Sequence, residues 1–264
     1  MLAGLASSTI LLGFTASLLA GLASGLGALP IFAVRRLSDQ VQEVMLGFAA
    51  GVMLAASFFS LILPGLAAAQ ARGSSELGAV SIVGCGILLG AAGLWLVHRY
   101  APHEHFVSGR EGPSSERIRR IWLFVVAITL HNFPEGLAVG VGFGGGEVGN
   151  GVALAIGIGL QNIPEGLAVA VALLTLNYSR LQALWVATLT GLVEPVGGLV
   201  GAAAVTVAQP ILPWGLAFAA GAMIFVISNE IIPEMHRRSG LKNFATEGLM
   251  VGLVVMMFLD VLLG

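Results

Sequence analysis

Two segments of the chain carry the same unusual set of polar side chains. Residues 131–141 read HNFPEGLAVGV and residues 161–171 read QNIPEGLAVAV. Each places a metal-competent side chain four positions before a glutamate: His131 before Glu135, and Gln161 before Glu165. Residues four apart share a helix face, so each pair converges. Asn132 and Asn162 stand three before the same glutamates, so each carboxylate can serve two neighbouring ligand groups. Pro134 and Pro164 lack an amide hydrogen, which frees the carbonyls of Leu130 and Leu160 from a helical ladder. Glu194-Pro195 repeats the theme and frees the carbonyl of Gly191. Imidazole, carboxylate, amide and carbonyl, without thiolate, suit a borderline or hard divalent ion such as Zn²⁺, Fe²⁺ or Mn²⁺. The plain alternative is a polar network between helices. A duplicated unit joined by a third acid weighs against it.

The elements that hold these residues follow from composition. Of 264 residues 57% are apolar and 10% charged, and the mean hydropathy is +0.95. A soluble domain carries about a quarter of its residues as charges, so a soluble enzyme, disorder and coiled coil are excluded and an integral membrane protein remains. The net charge of −2 gives no reason to expect nucleic acid. Cys85 is the single cysteine, which excludes a disulfide framework. Apolar runs at 1–34, 44–69, 77–97, 121–143, 150–176, 181–207, 211–235 and 245–263 predict eight transmembrane helices in one domain spanning 1–264. Residues 1–34 have no charge before Arg35, so the first run reads as a retained helix rather than a signal peptide. Eight spans put both termini on one side. Eleven basic residues then flank the odd-numbered loops and only Arg72 falls opposite, which places the 98–120 loop in the cytoplasm and both termini outside. Each duplicated motif starts about eleven residues into its span, roughly 16 Å at 1.5 Å per residue, about half the apolar thickness. Neighbouring spans run antiparallel, so the two motifs meet at the midplane about an in-plane two-fold axis, an arrangement that transporters use.

On these residues the chain resembles the ZIP (Zrt-, Irt-like) metal transporters, particularly their prokaryotic GufA-like branch. HNFPEG and QNIPEG carry the resemblance, and GFAAGVMLAASFFSLILPG, GLVEP, AGAMIFVISNEIIPEMHR and MMFLD extend it over the whole length. It implies a 3+2+3 arrangement of eight helices, spans 1–3 and 6–8 forming inverted repeats around the central pair. It further implies a binuclear site, with Met53, His131, Glu135, Gln161 and Glu165 at one metal and Asn132, Glu135, Asn162, Glu165 and Glu194 at the other. Metal would move into the cytoplasm by an elevator-like movement, zinc first, with Cd²⁺, Fe²⁺ and Mn²⁺ as further cargo. Several relatives have aspartate where this chain has Asn162, so the second metal is expected to be held less tightly.

Other polar residues carry weaker expectations. Ser60 and Asp260 lie toward the outer face and suit an entrance, the alternative for Asp260 being a simple helix end; Asn229, Glu230, Glu234 and His236 suit either a solvated helix end or an exit relay. His98, His103 and His105 form a loop cluster that suits low-affinity capture or simply an interfacial loop. Small-residue spacings such as Gly21/Gly25, Gly86/Gly90, Gly136/Gly140 and Gly197/Gly201 permit close helix packing; the alternative is that they form smooth seams along which helix groups slide. The leading function is a secondary transporter or facilitator in the cell (plasma or inner) membrane, with no cofactor. A membrane-embedded metalloenzyme and a non-transporting metal sensor are the alternatives. The enzyme reading suffers from the missing HExxH signature. The sequence leaves a homodimer open.

Overall fold

A computed structural model describes residues 2–33, 38–100, 114–146, 148–237 and 242–263, and among these every regular element is helical. In chain order they are α1 (Leu2–Ala28), α2 (Asp39–Ala55), α3 (Leu63–Ala71), α4 (Glu76–Tyr100), α5 (Ser114–Gly144), α6 (Val148–Leu174), α7 (Arg180–Gly191), α8 (Glu194–Val207), α9 (Leu212–Val226), α10 (Ile232–Arg237) and α11 (Lys242–Leu263). A π-helical turn, Ala56–Ile62, joins α2 to α3, and a second, Ile227–Ile231, joins α9 to α10.

Among the described residues, seven stretches are long and apolar enough to cross a membrane: Ser8–Phe32, Asp39–Ala71, Glu76–Leu96, Val148–Leu174, Arg180–Val207, Gln209–Asn229 and Asn243–Leu263. The span expected at 121–143 lies within the 31-residue α5, which is not among the seven. Its middle holds His131, Asn132 and Glu135. The expected 98–120 loop is shorter than the sequence suggests, since α4 runs on to Tyr100 and α5 begins at Ser114. Charged residues such as Arg117, Arg119 and Arg120 end an apolar run without ending a helix. The span expected at 181–207 is broken. Helix α7 stops at Gly191, and α8 restarts at Glu194 with Pro195 in its first turn, where a missing amide hydrogen costs nothing.

Local chemistry sets the junctions. Ser179 and Gln182 form a reciprocal capping box that starts α7, and Ser38 accepts from the Val41 amide to start α2. The α5–α6 connection is so short that Gly146 takes a left-handed φ of 88°. That tight reversal lays α5 and α6 antiparallel and brings the duplicated motifs alongside each other.

The helices sort into two groups by their closest packing. Helices α1, α5, α6, α7 and α8 pack mainly on one another, while α2, α3, α4, α9, α10 and α11 form the second set. Glycines make the tightest seams, and those seams lie inside the groups. A Cβ built on Gly136 would strike the Glu194 backbone, one on Gly140 the Gly198 backbone, and one on Gly166 the Ser24 backbone, all in the first group. In the second group Gly51 lies against the Leu249 backbone, Gly221 against Ile87, and Gly252 against Phe48. Between the groups the neighbours are side chains: Gly157 faces the sulfur of Met256 and the Val52 methyl, and Gly215 faces Val141. The paired glycines read from the sequence therefore cement each group.

These seams recur at fixed intervals. Gly136 on Glu194 is matched by Gly166 on Ser24, and Gly197 on Phe133 by Gly27 on Ile163. Gly252 on Phe48 is matched by Gly90 on Phe218, while Gly21 and Gly191 each face the other's carbonyl. Corresponding positions in α1–α2 and α7–α9 are always 170 apart (21 and 191, 24 and 194, 27 and 197, 48 and 218). The sequence carries the same register: LAGLASGLGAL at 19–29 against LTGLVEPVGGL at 189–199, and FAAGVM at 48–53 against FAAGAM at 218–223.

Candidate metal centre

The duplicated motifs lie in the middle of α5 and α6, each with its proline inside the helix. Their polar side chains turn inward: Asn132, Gln161 and Asn162 are fully buried, Glu135 is 1% exposed, His131 is 4% exposed and Glu165 is half-buried. Glu194 is fully buried in the first turn of α8. The break after α7 thus does what a continuous helix could not, because it lends the carboxylate the positive end of a helix dipole. This differs from the mid-helix position expected from the sequence, where nothing in Leu192-Val193 signals the interruption.

Hydrogen bonds tie the set across helices. Gln161 Nε2 on α6 donates to Glu135 Oε1 on α5. Asn162 Nδ2 donates to Glu194 Oε1 at 2.6 Å and to the Ala20 carbonyl on α1 at 2.9 Å. Both amides spend their N–H groups on protein acceptors, which leaves their oxygens free to ligate. Gln161 Oε1, Asn162 Oδ1, Glu135 Oε2 and Glu194 Oε2 are buried with no hydrogen-bond partner among the described residues. Both polar atoms of Asn132 are in the same condition. Buried polar atoms in native folds are rarely left this way, and here they cluster on the residues read as ligands. The three carboxylates lie within electrostatic reach of one another. Among the described residues no three His, Cys, Asp or Glu side chains group closely enough to hold a metal by themselves.

Met53 is 1% exposed and belongs to the apolar core with Val52 and Met223; its carbonyl accepts from Ser57 Oγ at 2.8 Å. Ser60 Oγ donates to Asp260 Oδ1 at 2.6 Å, which joins the first π turn to α11 and brings that expected pair together. Asn229 is exposed in the second π turn. Glu230 in that turn, Glu234 and His236 on α10, and His98 on α4 have side chains outside what is described, and His103 and His105 lie outside the described residues altogether. Sequence reasoning passed over Ser24. It is 1% exposed, and its Oγ would lie 2.9 Å from a Cβ built on Gly191, just as Glu194 Oε1 would lie 3.4 Å from one built on Gly21. The alignment of 19–29 with 189–199 is the signal that points to it.

A helical, multi-pass membrane protein with a buried carboxylate–amide–imidazole centre is the class these features define. Comparison with known proteins gives the family. The ZIP zinc transporter family matches residues 98–260. The zinc transporter GufA of Myxococcus xanthus is 47% identical over 252 residues, covering 96% of this chain and 99% of that protein. Zinc transporter ZIPB of Bordetella bronchiseptica is 47% identical over 258 residues, covering 92% of this chain and 78% of that one. Human zinc transporter ZIP11 is 37% identical, covering 90% and 93%. The chain belongs to the ZIP family, in its GufA-like branch, and is a transporter rather than an enzyme.

Proposed function

We propose that the chain carries zinc across a membrane through the centre where α5, α6 and α8 meet. The observation that carries this reading is the set of buried oxygens on Glu135, Gln161, Asn162 and Glu194 that no donor among the described residues uses. Three carboxylates and three amides within a bilayer are costly unless a cation compensates them. His131 and Glu165 complete the shell, with Met53 of α2 as its sulfur ligand. Three carboxylates bring −3 against +4 for two divalent ions, so one ion is held firmly and a second weakly. Names of three relatives support zinc as cargo.

The full reading is eight spans, α5 supplying the one beyond the seven, arranged 3+2+3 with inverted repeats. The constant interval between matching seams supports the repeats. Eleven of twelve basic residues on one side support a cytoplasmic α4–α5 loop and external termini. The division into two groups, each cemented by glycine backbone contacts and joined through side chains, supports an elevator: α1 with α5–α8 carries the ion past the other helices. Zinc uptake into vesicles containing the purified protein tests the function. Glu135→Ala is expected to abolish uptake while the protein stays folded, and uptake at the wild-type rate would refute the centre.

A further inference from the structure

The centre is unequal across the two-fold axis that relates α5 to α6. Asn162 has two acceptors for its Nδ2, the Ala20 carbonyl and Glu194 Oε1. Positions 170 apart exchange across the axis (20 with 190, 24 with 194), so the matching acceptors for Asn132 are the Thr190 carbonyl and Ser24. Asn132 is fully buried, yet its Nδ2 and Oδ1 have no partner among the described residues. Ser24 is where the two halves differ. Its backbone sits against Gly166 as the backbone of Glu194 sits against Gly136, and its Oγ faces Gly191 as Glu194 Oε1 faces Gly21. The cradle of two glycines that receives a glutamate on α8 is therefore built a second time around position 24. A serine side chain ends after one carbon, and no hydrogen bond joins it to Asn132. A glutamate there would reach as far as Glu194 does.

We propose that Ser24 belongs to the metal centre and sets its charge: with Asn132 it forms a neutral half opposite the charged half made by Asn162 and Glu194, and position 24 is the place from which α1 can add a carboxylate to the bound cation. The inference rests on the metal centre proposed above. Cation affinity in oxygen-rich sites rises with the number of charged ligands. The protein with Ser24→Glu should thus bind Zn²⁺ on the order of tenfold more tightly, whereas neutral Ser24→Gln should leave affinity near the wild-type value.

The test is calorimetric titration of purified wild type, Ser24→Glu, Ser24→Asp and Ser24→Gln with zinc chloride, alongside thermal melts. Tighter binding by the glutamate variant alone, or by both acidic variants, supports the assignment. An unchanged affinity in a folded Ser24→Glu protein overturns it, as does equal tightening by Ser24→Gln. Failure of both acidic variants to fold also overturns it, because the duplicated cradle should accept a carboxylate. Glu135→Ala is the control. If that variant binds zinc as well as wild type, the centre itself is misplaced, a failure distinct from any result at position 24.

Discussion

Replacing Asn162 by aspartate should have opposite effects with and without metal. In the free protein the Nδ2 group bridges the Ala20 carbonyl and the Glu194 carboxylate at 2.9 and 2.6 Å. An average interhelical hydrogen bond in a membrane protein is worth about 0.6 kcal/mol, and one to a charged group about 1.5–3 kcal/mol. Losing both costs roughly 2–4 kcal/mol, between about thirtyfold and a thousandfold in the folding equilibrium. The new carboxylate oxygen would also face two oxygens where a donor stood, which adds repulsion. With zinc present the sign should reverse, because a fourth carboxylate would bring the set to −4 against the +4 of the two ions proposed for the centre. Melting of purified Asn162→Asp should therefore fall below wild type in chelator, and zinc should raise it by more than it raises wild type. Transport should be no faster, since a deeper well delays release. Two results would refute the reasoning: an unchanged melt in chelator would discount the bridging amide, and an ordinary zinc response would take Asn162 Oδ1 away from the metal.

His131→Ala and Glu165→Ala should each lose zinc uptake into vesicles while retaining a cooperative melt; uptake at the wild-type rate in both would remove them from the centre. Gly140→Ala drives a methyl into the Gly198 backbone and should cost roughly 1–3 kcal/mol, the range for overpacking a tight seam. Gly157→Ala meets the flexible end of Met256 and should melt within about 1 kcal/mol of wild type while altering uptake rate. Equal destabilisation by the two would contradict the division into cemented groups. Protons compete with a cation for carboxylates and imidazole, so zinc affinity measured from pH 5.5 to 7.5 should weaken toward acid, and a flat profile would discount these ligands.

Much of the centre was legible because it is written twice. Costly residues such as Glu135 and Glu165 stand out against an apolar background, and a motif repeated in consecutive helices predicts that its two copies lie side by side, as α5 and α6 do. The break before Glu194 was not legible. Leu192 and Val193 are as apolar as their neighbours, and the proline that marks a kink inside α5 marks a helix start in α8. Nor could glycine spacing tell a backbone-on-backbone seam, as at Gly140, from a contact with side chains, as at Gly157. Ser24 escaped because it is small and weakly polar, and only its distant counterpart reveals what it replaces. Met53 is one of eight methionines, and without the family resemblance nothing separates it from core packing.

The two π turns give their helices a property that depends on counting. Each widens one turn by an extra residue, so everything beyond it is rotated by about 100° relative to an unbroken α-helix. Ahead of the first turn, Gly47 and Gly51 press on α11; past it, Gly65 on α3 faces Leu216 of α9 and Val83 of α4. One rod thus addresses two sets of neighbours, and the phase between its halves is held by chain length. Exchanging Phe58 for another apolar residue leaves that phase intact. Deleting any single residue of Ala56–Ile62 resets it and turns the whole of α3 away from its partners, so an exposed position such as Phe58 should tolerate substitution where the stretch as a whole does not tolerate a change in length.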